Sequence, residues 1–500
     1  MSATVVVLTL LCYLALLFGV SRYAARKTSD IGFFTGGRST HRVVASIAMV
    51  GAAMSGVSYI SVPGSVLADS YSYLQTTAGF FVGYMVIAFL LVPLYYRYGV
   101  VSLYEYLDHR FGVAAHRTGA WFFFLSKIIS ASLRVYVVCV VLQTLLFDIF
   151  RIPFYVNALI TCAIVWLYTR RGGVRSVVWV EMLKTIIMVS SIVACVIFII
   201  AHMGLSPREA WSAISEHSTS RILFLDSVLD RRYFWKQFIA GAFLVVAMTG
   251  LDQDMMQTVL SCRNRRDAQR SLVSSIVVQV VVITLFLLLG SLFYIYAESI
   301  GLGSSEGAMP LLNDAGEVVV SRGDDMFGFV ATSSGLPVAV GILFLLGLAA
   351  STYSSAGSAL TALTTSFTLD ILDGRHRDNC SLDALRRRVH LAIALVMWLL
   401  VVVFGAWSTK GVIALVFTMA SYTYGPLLGM FLFGLFTRRR PDSRFIPLWA
   451  LLSPVVSYLV AANSEQLFGG YQFSYEIIIL NAAIMMFGMW FHSRKSHKLA

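Results

Sequence analysis

Gly51-Ala52-Ala53-Met54-Ser55-Gly56-Val57-Ser58, followed by Pro63-Gly64, interrupts an otherwise apolar run between residues 43 and 68. Small and polar residues in mid-span break a membrane helix and free backbone carbonyls at the break. Five apolar runs later a second interruption follows, Met248-Thr249-Gly250-Leu251-Asp252-Gln253-Asp254. Paired breaks in the first helix of each half mark a transporter built from two inverted repeats, with substrate and ion held at the breaks. Five is odd, so the two blocks have opposite topology, as that architecture requires. Taken singly, each break also fits close helix packing through small residues. Their joint placement favours the transporter.

The rest of the chain supplies the setting. Of 500 residues, 58% are hydrophobic and 13% charged, with mean hydropathy +0.77, against about 45–50% apolar and about 25% charged in soluble domains. A water-soluble fold is excluded. The run from Thr185 to Ile200 is apolar on every face, which excludes the apolar-polar alternation of a membrane β-barrel. An all-α polytopic membrane protein remains. Spans of about 20 apolar residues predict thirteen helices near 2–20, 43–68, 74–96, 118–146, 154–169, 177–201, 237–258, 271–297, 335–368, 389–407, 411–436, 445–462 and 475–491. They form a single transmembrane domain over 1–500, with a first helix at 2–20, repeat one over 43–201, repeat two over 237–436 and extra helices over 445–491.

The net charge of +12 marks topology. Of 38 lysines and arginines, 27 fall on alternate loops, 8 on the opposite side and 3 inside the membrane. By the positive-inside rule the N-terminus is outside and the C-terminus in the cytoplasm, in the inner (cytoplasmic) membrane of the cell. Arg386-Arg387-Arg388 and Arg438-Arg439-Arg440 sit where helix ends meet the cytoplasm, so the basic balance reads as contact with the lipid bilayer and not with nucleic acid. No obligate protein partner is evident. The first apolar run lacks a basic segment before it and reads as a retained helix, not a signal peptide. Cys12, Cys139, Cys162 and Cys195 are intramembrane and Cys262 and Cys380 fall in cytoplasmic loops, so no disulfide is expected.

Chemistry concentrates in the span near 335–368. Ser351, Ser354, Ser355, Ser358, Thr361 and Thr365 recur at three- and four-residue steps and form one hydroxyl face. Hydroxyls facing carbonyls freed at residues 51–58 suit a hard monovalent cation such as sodium. Back-bonding to their own helix, or bonding to neighbouring helices, is the alternative. Glu181 and Lys184, three apart in one span, can meet on one face, and intramembrane charges are costly enough to be functional by default. The alternative is that both snorkel to the cytoplasmic interface. Lys127 and Arg134, seven apart, share a face of the span 118–146. Lys127 lies at a depth similar to Glu181 and Lys184 and is expected in the same ion-pair network. Arg134 lies ~24 Å in, too deep to snorkel. It is expected to bind a substrate carboxylate with its planar guanidinium, or else to pair with an acid.

The chain resembles the sodium/solute symporter family, which includes bacterial sodium-coupled sugar, proline and sialic acid transporters and animal sodium/glucose cotransporters. The resemblance runs through Phe34-Thr35-Gly36-Gly37-Arg38-Ser39; Val101-Ser102-Leu103-Tyr104-Glu105-Tyr106-Leu107 with Arg110-Phe111-Gly112; Gly172-Gly173-Val174-Arg175-Ser176-Val177-Val178-Trp179; Gly250-Leu251-Asp252-Gln253; Ser354-Ser355 on to Phe367-Thr368-Leu369-Asp370; and Gly425-Pro426-Leu427-Leu428-Gly429 with Gly434-Leu435-Phe436. It implies a LeuT-type fold with two five-helix inverted repeats, one helix before them and two after. It also implies a sodium site made by the carbonyls of Gly51, Met54 and Ser351 and the hydroxyls of Ser354 and Ser355. Ala53 stands where the proline branch has an acidic residue. A second cation site in parts of the family uses an Asp where this chain has Glu181, with a Gln common at Lys184 and with further serines, here Gly357 and Ser358. The departure predicts that the Lys184 ammonium replaces the second cation. Arg134 falls where sugar and sialic acid members place a substrate-contacting side chain.

Further pocket candidates are Ser55, Ser58, Gln75, Thr77, Thr418 and Tyr422, while Asp252, Gln253 and Asp254 read as a hinge or cytoplasmic gate. The expected function is sodium-coupled import, by alternating access, of a small organic solute, an anion such as sialic acid or a sugar acid. Alternatives are proton coupling through Glu181, a neutral sugar or polyol as solute, and a sensor that does not transport. A sensor needs an output domain that the short tail after 491 does not provide. An enzyme is not expected, because no His-Glu metal spacing and no Gly-Xaa-Ser-Xaa-Gly elbow occurs.

Overall fold

The computed structural model describes residues 2–25, 38–100, 102–170, 173–304, 309–313, 315–332, 335–374, 379–407 and 412–494. Of the stretches quoted above, residues 34–37, Val101 and Gly172 lie outside these. The chain runs through α1 (Ala3–Ala25), α2 (Arg42–Ala53), α3 (Gly56–Gly64), α4 (Tyr73–Tyr98), α5 (Glu105–Phe111), α6 (Val113–Phe147), α7 (Phe154–Thr169) and α8 (Gly173–His202). It continues through α9 (Pro207–Glu216), α10 (Phe234–Gly250), α11 (Gln253–Leu260), α12 (Arg265–Ser299) and α13 (Gly323–Thr332). The last helices are α14 (Val338–Ile371), α15 (Asn379–Trp407), α16 (Val412–Phe436), α17 (Ile446–Ala462) and α18 (Ile477–Phe491).

Among the described residues, nine helices are long and apolar enough to cross a membrane, and eleven spans result if each bent pair counts as one. The bent pairs are α2 with α3, at 59°, and α10 with α11, at 69°. Both bends fall inside the interruptions quoted above. The shorter apolar helices α7 and α18 occupy the predicted spans 154–169 and 475–491. With 35 residues, α12 reaches ~52 Å, more than the ~30 Å hydrocarbon core, so it tilts or projects beyond the bilayer. This is a multi-pass membrane protein.

The packing has an internal correspondence. α4 packs on α10, and α12 packs on α2; α8 packs on α14, and α16 packs on α6. A shift of five spans exchanges the members of each couple. Glycine makes the α4–α10 contact possible, because a Cβ on Gly79 would lie 2.0 Å from the Phe238 carbonyl oxygen and one on Gly241 would lie 2.2 Å from that of Thr76. The backbones touch there, and Thr76 donates to Gln237 Oε1 at 2.6 Å.

Helix direction separates two faces. A loop face carries α9, α13 and a small antiparallel sheet, β1 (Gly303–Ser304), β2 (Leu311–Leu312) and β3 (Val318–Val320). The opposite, basic face carries α5 and the pairing of β4 (Arg440–Pro441) with β5 (Ser493–Arg494). Near that basic face the end of α1 is tied to α7 and α8. The Ser21 hydroxyl donates to the Tyr168 carbonyl at 2.9 Å, and the Ser176 hydroxyl donates to the Ser21 carbonyl at 3.0 Å.

Candidate functional site

The first break is capped from within. Met54 leaves the helix (φ −98°, ψ 117°), its N–H returning to the carbonyls of Val50 and Gly51. Ser55 is extended (φ −107°, ψ 174°) and opens α3 as a capping box, each of Ser55 and Ser58 accepting from the other's N–H at 3.4 Å. The small residues serve close approach. A Cβ on Gly51 would lie 2.4 Å from Thr185 Oγ1 and 3.0 Å from Glu181 Oε2, and one on Gly56 would lie 2.1 Å from Thr352 Oγ1. The stretch from Gly51 to Gly56, which includes Met54, therefore runs between Glu181 of α8 and Ser351–Thr352 of α14.

Around this stretch lie oxygens without donors. Glu181 Oε1, Thr352 Oγ1 and Ser354 Oγ are buried with no hydrogen-bond partner among the described residues. Ser351 bonds back to the Leu348 carbonyl at 3.0 Å, which leaves its own carbonyl as the group for a ligand role. Ser355 Oγ accepts from Lys184 Nζ at 2.7 Å, and the same ammonium donates to Glu181 Oε2 at 3.0 Å. Glu181 and Lys184 are 0% and 1% exposed, so neither snorkels to an interface. Buried oxygens left unsatisfied beside a helix end fit a hard, oxygen-seeking cation, so the residues present suit sodium.

The second break is organised by a carboxylate. Asp252 caps α11, Oδ1 accepting from the N–H of Asp254 at 2.8 Å and of Met255 at 3.3 Å. Tyr95 donates to the Gly250 carbonyl at 2.8 Å and Tyr104 to that of Leu251 at 3.0 Å, so the carbonyls freed by this break are satisfied by tyrosines. Lys127 Nζ lies 3.0 Å from Asp252 Oδ2 and 2.7 Å from Asp254 Oδ2. Tyr424 donates to Asp252 Oδ2 at 2.6 Å, and the Ser358 hydroxyl donates to Asp254 Oδ1. This corrects the expectation that Lys127 joins Glu181 and Lys184. The bend brings two carboxylates against α6, and they take the ammonium. Asp252 also lines the central cavity. The set remains electrostatically connected, since Lys184 feels both Asp254 and Arg134.

Between the breaks lies a cavity of about 90 Å³, lined by α2, α3, α4, α6, α10, α11, α12 and α16. Ser55, Ser58, Lys127, Arg134 and Asp252 all face it. Arg134 is half-buried and makes no ion pair or hydrogen bond among the described residues, unlike Lys127 two turns away. Two polar groups that the sequence did not single out also line it: Tyr84 and Gln279, whose hydroxyl and Oε1 are buried with no well-formed hydrogen bond among the described residues.

Four candidates lie elsewhere. Gln75 ties down the loop face, donating to the Arg232 carbonyl at 2.8 Å and accepting from Phe224 N at 3.1 Å, and Thr77 bonds back to the Tyr73 carbonyl at 2.8 Å. Thr418 and Tyr422 line an outer cavity with Asp69, Arg231 and Arg232. The two cavities share Tyr73 and Phe417, whose rings stand between them. At the outer rim the Arg232 guanidinium holds the Asp230 carboxyl below the usual carboxylate range.

Residues 33–443 match the model of a family described as the sodium:solute symporter family. The human (Homo sapiens) sodium/iodide cotransporter is 25% identical over 436 residues, covering 84% of this chain and 62% of that protein. The mouse (Mus musculus) sodium-coupled monocarboxylate transporter 1 is 25% identical over 277 residues, covering 52% of this chain and 42% of that protein. The chain thus spans less than two thirds of the length of either relative. A solved structure of a Na+-coupled sialic acid symporter, substrate-bound and outward-open, superposes with a TM-score of 0.80 at 15% identity over 98% of this chain and 99% of that one. The architecture is therefore the LeuT-like fold.

Proposed function

Because the chain belongs to the sodium:solute symporter family, we propose that it imports a small organic anion by sodium-coupled alternating access. The observation that carries the anionic solute is Arg134, a guanidinium in the central cavity with no counter-ion among the described residues. A carboxylate accepts two parallel hydrogen bonds from such a group. The relatives' names, iodide and monocarboxylate, are also those of anions.

The mechanism follows from the breaks. Sodium is held by the carbonyls of Gly51, Met54 and Ser351 and the hydroxyls of Ser354 and Ser355, and it draws α2 and α3 onto α14. The same break presents Ser55 and Ser58 to the cavity, so ion and solute share one element and each favours the arrangement that suits the other. The solute enters past Tyr73 and Phe417 from the outer cavity. The loop face is external and the basic face cytoplasmic, with the N-terminus outside and the protein in the inner (cytoplasmic) membrane; the lysine and arginine asymmetry supports this orientation.

A thermal-shift screen of sugar acids, sialic acids, monocarboxylates, amino acids and neutral sugars, in sodium and in choline, tests the reading. Stabilisation by carboxylates that requires sodium is expected. Stabilisation by neutral sugars alone, or by any solute equally in choline, overturns it.

A further inference from the structure

Among the described residues, six charged side chains gather at the two breaks. Glu181, Asp252 and Asp254 stand against Lys127, Lys184 and Arg134, and all but Arg134 are at most 5% exposed. Three negative charges meet three positive ones, so the protein's own sum in this region is zero. A bound monovalent anion makes it negative by one, and one sodium ion restores it. A second sodium ion would leave an uncompensated charge in a low-dielectric interior, where such a charge is most costly.

The oxygens that a second cation would need are already in use. The Ser358 hydroxyl is given to Asp254, and position 357 is a glycine. Lys184 Nζ sits between Glu181 Oε2, at 3.0 Å, and Ser355 Oγ, at 2.7 Å. Two further oxygens lie beside it. Glu181 Oε1 and Ser354 Oγ are buried with no well-formed hydrogen bond among the described residues, and the carboxylate and the hydroxyl lie near enough to interact with each other. The same carboxylate lies against the broken end of α2, 3.0 Å from where a Cβ on Gly51 would stand. A buried carboxylate oxygen with no donor is a strong ligand in search of a cation.

Resting on the function proposed above, we propose that Glu181 is itself a ligand of a single sodium ion, through Oε1 beside Ser354. The Lys184 ammonium is a tethered cation in the place of a second one. One sodium ion then accompanies one monovalent anion, and the loaded carrier is electroneutral in its core.

Equilibrium binding of radioactive sodium to the purified full-length protein, with sodium-dependent thermal stabilisation as a second readout, tests this. The wild type is expected to bind one sodium ion per protein without cooperativity. Glu181→Gln, which keeps the shape and removes the charge, is expected to weaken sodium binding about tenfold or more. Lys184→Gln vacates the tethered charge and is expected to admit a second sodium ion. If Lys184→Gln does not fold, Glu181→Gln/Lys184→Gln removes both charges together and is expected to bind sodium as weakly as Glu181→Gln. Two sodium ions per wild-type protein, unchanged affinity in Glu181→Gln, or a folded Lys184→Gln that still binds one, each overturns this inference and leaves sodium-coupled symport standing. A wild-type protein that binds no sodium overturns both.

Discussion

Two cations on one face of α6 should respond to removal in different ways. Lys127 is 3% exposed and holds two carboxylates, at 3.0 Å and 2.7 Å. Replacing it with Met leaves Asp252 and Asp254 buried without their cation, which costs about 3–5 kcal/mol. Arg134, seven residues on, has no ion pair or hydrogen bond to abandon among the described residues. A charge held in a membrane interior costs about 2.5–3.5 kcal/mol on insertion scales, which offsets the charge balance that Arg134 gives the carboxylates, so Arg134→Leu should cost far less stability than Lys127→Met. Its loss should appear in binding. Two charge-assisted hydrogen bonds contribute at least about 3 kcal/mol, so carboxylate affinity should fall roughly a hundredfold. The assay is the temperature at which half of the detergent-solubilised protein stays monodisperse, measured with and without a carboxylate solute in sodium. Lys127→Met should melt well below wild type. Arg134→Leu should melt close to it and gain nothing from the solute. An equal loss of stability in both variants would refute the assignment of one cation to structure and the other to substrate, as would an Arg134→Leu variant that binds the solute with unchanged affinity.

Three further outcomes follow from the same contacts. Gly56→Ala places a methyl 2.1 Å from Thr352 Oγ1 and should abolish sodium-dependent stabilisation. Because that hydroxyl has no hydrogen-bond partner among the described residues, Gly56→Ala/Thr352→Ala should restore it. Ser354→Ala removes a hydroxyl with no well-formed hydrogen bond among the described residues, so its melting temperature without sodium should stay close to wild type while sodium affinity, read by titrated thermal shift, drops about tenfold. Tyr424→Phe deletes the 2.6 Å bond to buried Asp252 and should destabilise by about 1.5–3 kcal/mol, measured as a lowered melting temperature at every sodium concentration.

The fold was legible because its decisive features are local. A small, polar interruption in an apolar run breaks a helix wherever it occurs, and the two bends fall at Met54–Ser55 and at Leu251–Asp252, inside the quoted stretches. Residue spacing also placed Lys127 and Arg134 on one face. It could not say which distant element that face meets. The partners of Lys127 lie 125 and 127 positions away, and the rotation of α6 about its axis is fixed by packing, not by periodicity. Asp252 and Asp254 carried a signal, since two carboxylates in a broken apolar helix require a cation, but Lys127 and Lys184 lie at similar depths and the sequence does not choose between them. Thr418 and Tyr422 show the converse limit. Both are polar residues on α16, yet they open to the outer cavity while Phe417 and Tyr424 of the same helix reach the inner one. Tyr84 and Gln279 were invisible, because an isolated polar residue in a membrane span looks the same whether it bonds a neighbouring helix or faces a ligand.

Solute accumulation in proteoliposomes under imposed ion gradients tests the central claim most directly. With an inward sodium gradient and no pH gradient, a carboxylate that stabilises the protein should accumulate above its external concentration and leak back when the gradient is collapsed. Uptake that is indifferent to sodium, or that follows the pH gradient alone, would contradict sodium-coupled symport.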